Sequence, residues 1–244
     1  VYHSPENRGH PHIFNLCIQR ACGYWVHILH DDDWVQPGFY RTLEAGITTV
    51  PDVGAAFCRH IYVNENGQPR TFSVLEQETA SILKDWLERI AVMCRLQFPS
   101  IVVKREAYEK LGGFSALANS AFDWEMWKRI AVHYPVWYEP QPLACFREHS
   151  DSESSDLIRS GRQVADTRRA IDVSQSYLPT DVAARLSSAA KENYAMYALK
   201  LAQSLLKKGD TEATLNNLCE ALQCSQSRSI KDSLVSLLTQ VKST

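Results

Sequence analysis

The sequence predicts an α/β core followed by an α-helical region. Three observations carry this. A short run, Tyr24-Trp25-Val26-His27-Ile28-Leu29, is aromatic and β-branched, which reads as a buried strand, and it runs directly into Asp31-Asp32-Asp33. Up to about residue 150, strand-like runs alternate with helix-like ones, the order of an α/β fold. Beyond that point every segment carries a helical pattern.

Taken in order, residues 1–12 are polar, hold Pro5, Gly9 and Pro11, and read as a loop. Residues 13–22 place Ile13, Leu16, Cys17 and Ala21 on one helical face, and Gly23 fits the stop. After the aspartates, 38–45 reads as a short helix behind Pro37. Residues 53–58 and 60–63 read as strand, and Asn66-Gly67 is a turn signal. Residues 74–92 read as mostly helical, with Leu75, Ile82, Leu83, Trp86, Leu87 and Ile90 as candidate core. A strand at 100–103 leads into a helix at 105–111, which ends on Gly112-Gly113. Residues 123–133 form an amphipathic helix, and 136–138 and 143–146 two short strands. Ser150 to Ser155 is a polar linker. Helices are expected over 156–175, about 180–208, 211–224 and 228–241, with a break at Gly209-Asp210. The pair around that break resembles one tetratricopeptide-like unit. The division expected is therefore a core over 1–155 and a helical extension over 156–244.

A formal charge of −2 shows no basic field for nucleic acid. No apolar run is long enough to span a membrane, and no signal peptide is visible. The seven cysteines lack C-x-x-C spacing and read as buried, reduced thiols. These features point to a cytoplasmic protein, or one peripheral at the inner face of the membrane.

Three carboxylates at the end of a buried strand repel one another and lose hydration. A hard divalent cation would relieve both costs while sharing its remaining positions with phosphates and water. Open α/β sheets bind ligands outside the carboxyl ends of their strands. A solvated acidic turn is the alternative.

A second group of residues lies downstream: Gly112-Gly113-Phe114, then Phe122-Asp123-Trp124-Glu125-Met126-Trp127, then Pro142-Leu143, then Arg147-Glu148-His149. With Leu29-His30-Asp31-Asp32-Asp33 and Pro37, in this order and spacing, the set resembles the family 2 glycosyltransferases of the A-type, Rossmann-like fold. The resemblance covers roughly residues 1–155. It implies inverting transfer of a sugar from a nucleotide-diphosphate donor to a glycan, lipid-linked or protein acceptor, with Mn²⁺ or Mg²⁺ as cofactor. In this fold a strand, a helix and a second strand normally come first and hold the base. That segment is expected before Val1, so part of the donor site is expected to be missing.

The resemblance implies roles for single residues. Asp32 matches the metal ligand that bridges the donor phosphates, and His30 stands where the family has its first aspartate, which leaves its role open. Asp31 and Asp33 flank the donor site, Asp31 within reach of a ribose hydroxyl. His149 matches a late histidine that ligates the same metal; neutral imidazole suits Mn²⁺ better than Mg²⁺. Arg147 is placed to contact the diphosphate in bidentate fashion. Gly112 and Gly113 let the backbone approach the donor sugar, although a helix stop is an equally common use of such a pair. Asn15 matches a family asparagine on the preceding helix. Asp123 aligns with the base that takes the acceptor's proton on the face opposite the leaving group. Its spacing from Ser120 also fits a capping box. Trp124 and Glu125 are the acceptor-side candidates, Glu125 also the alternate base.

Two other classes compete: a non-catalytic binding module built on a truncated transferase core, and a Mg²⁺-dependent nucleotidyl or phosphoryl transferase. The absence of a Gly-rich Lys-Ser/Thr loop counts against a P-loop form of the latter. The helical extension is a candidate surface for a protein partner.

Overall fold

The computed structural model describes residues 9–149 and 153–241. They form two compact units. One takes in the chain to Ile90, Cys94–Ala116 and Phe122–His149; the other takes in Ala91–Met93, Leu117–Ala121 and the chain beyond residue 150. Of the loop expected over 1–12, residues 1–8 lie outside the described residues, as do 150–152 of the expected linker.

In the first unit the order is α1 (His10–Arg20), β1 (Trp25–Val26), β2 (Trp34–Val35), α2 (Phe39–Ile47), β3 (Ala55–Val63), β4 (Pro69–Phe72), β5 (Ser81–Ile82), α3 (Trp86–Val92), β6 (Ile101–Lys104), α4 (Arg105–Leu111), α5 (Phe122–His133) and β7 (Val136–Arg147). The seven strands form one mixed sheet. Its main path runs β1-β6-β3-β7-β2, with β4 added to β3 and β5 to β7. Only the β3–β7 pair is parallel among these neighbours.

The amphipathic pattern of α2 puts Phe39 and Leu43 against Ala56 and Cys58 of β3, Val102 of β6 and Leu143 and Ala144 of β7. Gly46 in the same helix leaves the space that the Trp137 indole occupies, so a side chain there would displace the ring. Together these pack one helix onto the centre of the sheet.

Several expectations change. The strand expected over 24–29 is ordered into the sheet only at Trp25 and Val26, and Tyr24 is 85% exposed. From His27 on, side-chain contacts replace ladder bonds: His27 Nδ1 meets Tyr40 Oη at 3.0 Å, and its ring stacks on Phe39. The first helix begins at His10 rather than 13, with Gly9 preceding it at φ +82°.

The helix expected over 74–92 is confined to Trp86–Val92. The segment before it is held out of a helix by long-range partners. Ser73 N donates to His60 O, Glu76 N to the Tyr138 hydroxyl and Leu83 N to Val136 O. The buried Glu76 carboxylate accepts from Arg89 and Arg95 at 3.0 and 2.7 Å. Leu75, offered by the helical pattern as core, is 38% exposed.

The two short strands expected near 136–146 are one twelve-residue strand, β7. Its register against β3 shifts around Arg59, opposite Pro142, where a proline lacks the ladder donor. The expectation of buried thiols holds for Cys58, Cys145 and Cys224; Cys17, Cys22 and Cys219 are exposed.

The second unit contains α6 (Glu153–Arg159), α7 (Arg162–Ser174), α8 (Thr180–Lys207), α9 (Thr211–Cys224) and α10 (Arg228–Val241). The helix expected over 156–175 is interrupted by Gly161 at φ +74°. The helices α8 and α9 pack against each other, and both bury small residues, among them Ala195, Ala198 and Ala202 in α8 and Ala213 and Ala221 in α9. Asp210 caps α9 by accepting from Ala213 N. No described helix is long and apolar enough to cross a membrane.

Candidate functional site

Sheet register assembles the site. Trp34 pairs with Cys145 and Val35 with Ala144, so the end of β7 runs back past the turn that precedes β2. That turn is Asp31-Asp32-Asp33, and the end of β7 carries Arg147 and, just beyond, His149. Arg147 N donates to Asp33 Oδ1 at 2.9 Å, and Glu148 N donates to Val63 O. His149 Nε2 comes to 3.3 Å from Asp32 Oδ2, with both side chains about one-third exposed (30% and 38%). This brings together the two residues matched as metal ligands.

Asp33 has one oxygen on the Arg147 amide. Its other, Oδ2, is buried and has no hydrogen-bond partner in the protein. Burial pushes this carboxyl up to about 6, with the Arg147 amide opposing. His30 lies beside it, Nδ1 3.9 Å from Asp33 Oδ2, and its Nε2 is buried without a partner. The ring rests on Phe14 and Phe98, and burial lowers its pKa, which favours neutral imidazole. One ligand atom from each of His30, Asp32 and Asp33 falls within 4.8 Å of the others. A cation among them would satisfy the unpartnered carboxylate oxygen and lessen the repulsion between Asp32 and Asp33. Residues present at this turn therefore fit a divalent ion. Asp31 is exposed at its tip.

Arg147 is engaged differently from the expectation. Its guanidinium donates to the backbone oxygens of Asp32 (3.0 Å) and Glu65 (2.6 Å) and lies over the Trp34 ring. It braces the aspartate turn against the β3–β4 hairpin rather than presenting a free bidentate fork.

The glycine loop is built by α4. Gly112 and Gly113 take φ +86° and +70°, and both amides reach back to Tyr108 O, closing the helix. Asn15 clamps the loop from α1: its Nδ2 donates to Phe114 O at 2.9 Å, and its Oδ1 accepts from Phe114 N at 2.7 Å. The same Oδ1 occupies the place a Gly113 side chain would need. Asn15 thus shapes the loop through Phe114.

Helix α5 grips this loop from the other side. Glu125 receives Arg129 Nε and Nη2 at 2.6 and 2.7 Å. Arg129 in turn donates to Leu111 O and Gly113 O. Glu125 is 1% exposed and Trp124 2%. Trp124 Nε1 donates to Ile90 O, and Lys128 Nζ sits 3.8 Å from its ring centre. The two acceptor-side candidates are therefore buried in the core. Alternation along a helix cannot separate a pocket wall from a packed face; burial does.

Asp123 stands in the first turn of α5, half-buried, with Oδ1 accepting from Trp124 N at 2.6 Å. Burial pushes its carboxyl up to about 6, against that amide. The capping box with Ser120 does not form. The Ser120 hydroxyl and amide both go to Asp166 instead, at 2.7 and 3.3 Å. Phe122, one residue before Asp123, packs on Phe14, the ring that also stacks on His30. Phe14, Phe98, Phe114, Phe122 and Trp127 form a continuous aromatic cluster.

His30 and Phe14 are the residues that sequence reasoning underweighted. For His30 the signal was present in its spacing of two and three residues from Asp32 and Asp33. For Phe14 nothing local distinguishes it from any helix aromatic.

No family model matches the chain. An uncharacterized glycosyltransferase, YwdF, of Bacillus subtilis (strain 168) is 23% identical over 168 residues, covering 68% of this chain and 61% of that protein. An uncharacterized protein, MT1568, of Mycobacterium tuberculosis (strain CDC 1551 / Oshkosh) is 24% identical over 183 residues, covering 67% of this chain and 53% of that protein. The chain thus spans less than two thirds of the length of either relative. Among solved structures, the mannosyltransferase PcManGT from Pyrobaculum calidifontis, in complex with GDP-Man and Mn²⁺, superposes with a TM-score of 0.52 at 18% identity, covering 97% of this chain and 61% of that one. The chain has a glycosyltransferase fold.

Proposed function

We propose that this chain is the catalytic part of a metal-dependent, inverting glycosyltransferase of the family 2 type, taking its sugar from a nucleoside-diphosphate donor. The observation that carries the reading is the meeting of Asp32 and His149 at 3.3 Å, beside an Asp33 oxygen that is buried without a partner. The fold shared with PcManGT, a mannosyltransferase solved with GDP-Man and Mn²⁺, supports the same class of donor and ion. YwdF, described as a glycosyltransferase, supports the class of reaction.

Asp32 and His149 are the residues to hold the cation. When bound, it would neutralise charge on the departing diphosphate. Arg147 keeps the aspartate turn in place by tying Asp32 O to Glu65 O. Asp31, exposed beside them, is free to meet a ribose hydroxyl. Gly112 and Gly113, bare of side chains, let backbone approach the donor sugar, and Asn15 sets their loop through Phe114. Asp123 takes the proton from the attacking hydroxyl of a glycan, lipid-linked or protein acceptor. A carboxyl near 6 is ionised at neutral pH and a stronger base than an ordinary aspartate.

The test is calorimetry of the full chain with a panel of nucleoside diphosphates, with and without Mn²⁺. The expected result is binding of one diphosphate that requires the ion and is lost in Asp32→Asn. Binding of none, with or without the ion, overturns the donor reading.

A further inference from the structure

We infer that His30 is itself a cation ligand, and that with it the Asp32–Asp33 turn forms a mixed nitrogen–oxygen site that selects a first-row transition ion such as Mn²⁺ over Mg²⁺. This rests on the metal reading of Asp32 and His149 and deepens it.

Two observations beyond the clustering of acidic residues point to a ligand. Asp33 is 93% buried by its 7% exposure, its Oδ1 is fixed by the Arg147 amide, and its Oδ2 has no partner in the protein. A buried carboxylate oxygen left unpaired costs free energy that a cation would recover. The second is His30, whose Nε2 is also buried without a partner and whose ring faces Asp33 Oδ2 through Nδ1 at 3.9 Å. The imidazole is held by Phe14 and Phe98, with ring centres 5.5 and 4.9 Å away. A stacked ring would be satisfied by those contacts alone only if its nitrogens reached water or a donor. Here Nε2 is enclosed without a partner, and Nδ1 faces a carboxylate oxygen that has none either.

The donor set decides the ion. His30, Asp32 and Asp33 offer one nitrogen and two oxygens within 4.8 Å, and His149 adds a second imidazole on Asp32. Mg²⁺ favours oxygen and keeps much of its water, whereas imidazole raises affinity for first-row transition ions. A site with an aspartate in place of His30 would keep only the weaker bias of His149.

The experiment uses the full chain and Mn²⁺ alone, followed by electron spin echo envelope modulation, with Mg²⁺ as competitor. The expected spectrum shows ¹⁴N modulation from directly bound imidazole. His30→Gln removes one nitrogen, and His149→Gln removes the other. Partners outside the ligand sphere are worth about 10–100-fold in affinity, so loss of His30 should weaken Mn²⁺ by at least about tenfold while Mg²⁺ changes little. His30→Asp should narrow the gap between the two ions. Near-ultraviolet circular dichroism checks that each variant is folded, and either one suffices if the other is not. Unchanged nitrogen modulation in a folded His30 variant, with the His149 signal present, overturns the role of His30 and leaves the Asp32–His149 reading standing. An unchanged Mn²⁺/Mg²⁺ ratio in a folded variant also overturns it. Failure of the wild-type chain to bind Mn²⁺, even with nucleoside diphosphates present, removes both.

Discussion

His149 Nε2 lies 3.3 Å from Asp32 Oδ2 across 117 residues of chain. The contact follows from the antiparallel pairing of β2 with β7, which sets the end of one against the start of the other. If both side chains serve one cation, Asp32→Asn should abolish Mn²⁺-dependent binding of nucleoside diphosphate. The side chain is 38% exposed, so the melting temperature should move little. Titration of the folded variant with Mn²⁺ and the diphosphate measures this. Undiminished binding would reduce the turn to a solvated acidic loop.

Asp123→Asn should lower sugar transfer by about 10²–10⁴-fold, the usual cost of a lost general base. Donor binding should persist. Asparagine can still accept from Trp124 N through its Oδ1, so stability should change by no more than about 1 kcal/mol. Turnover and melting temperature on the same preparation separate a base from a helix-start residue; near-normal turnover rejects the base.

The same carboxyl sets a pH dependence. Asp123 and Asp33 are both pushed up to about 6 by burial. As Asp123 is the base, the acidic limb of turnover should therefore fall as pH drops through about 6. Stability runs the other way for these two groups. Each binds its proton more tightly folded than unfolded, so its contribution is full below the ordinary value of 3.8 and is lost as pH rises through about 6. Substituting Asn at Asp123 should flatten its share of that trend, read by chemical denaturation from pH 4 to 7.

The two glycines should behave differently. Gly112 at φ +86° has open space where a Cβ would go, and alanine there should cost about 1–2 kcal/mol for the left-handed backbone alone. Gly113→Ala meets Asn15 Oδ1 as well. It should break the Asn15–Phe114 pair and cost about 1–3 kcal/mol more for the groups left unsatisfied. Asn15→Ala should reproduce much of that extra loss. Equal denaturation midpoints for the two glycine variants would show that the clamp contributes nothing.

Glu125→Ala should destabilise the fold strongly, by about 3–5 kcal/mol, because it leaves the Arg129 guanidinium buried without its carboxylate. The glycine loop should loosen with it, since Arg129 also holds Leu111 O and Gly113 O. A variant with normal stability and no turnover would transfer the base role from Asp123 to Glu125.

The sequence by itself determined what depends on neighbours a few residues away. The acidic turn after a short strand, the Asn66-Gly67 turn, the helix ending on Gly112 and the helix carrying Asp123 all follow from local periodicity and turn chemistry. They fold as read because the distant side chains that reach their backbone, Arg147 on Asp32 O and Glu65 O and Arg129 on Leu111 O and Gly113 O, brace the local turn instead of opening it. Only the tertiary structure decided the rest. Residues 74–85 have a helical pattern, yet the Tyr138 hydroxyl and Val136 O claim the amides of Glu76 and Leu83, and those bonds cost the chain its helix. Trp124 and Glu125 share a helix with Asp123, but packing against Ile90 and Arg129 takes them into the core and leaves Asp123 half-buried. The pairs that shape the site, His149 with Asp32 and Asn15 with Phe114, are separated by 117 and 99 residues. Such contacts are set by strand register and helix packing, whose energies are summed over the whole core.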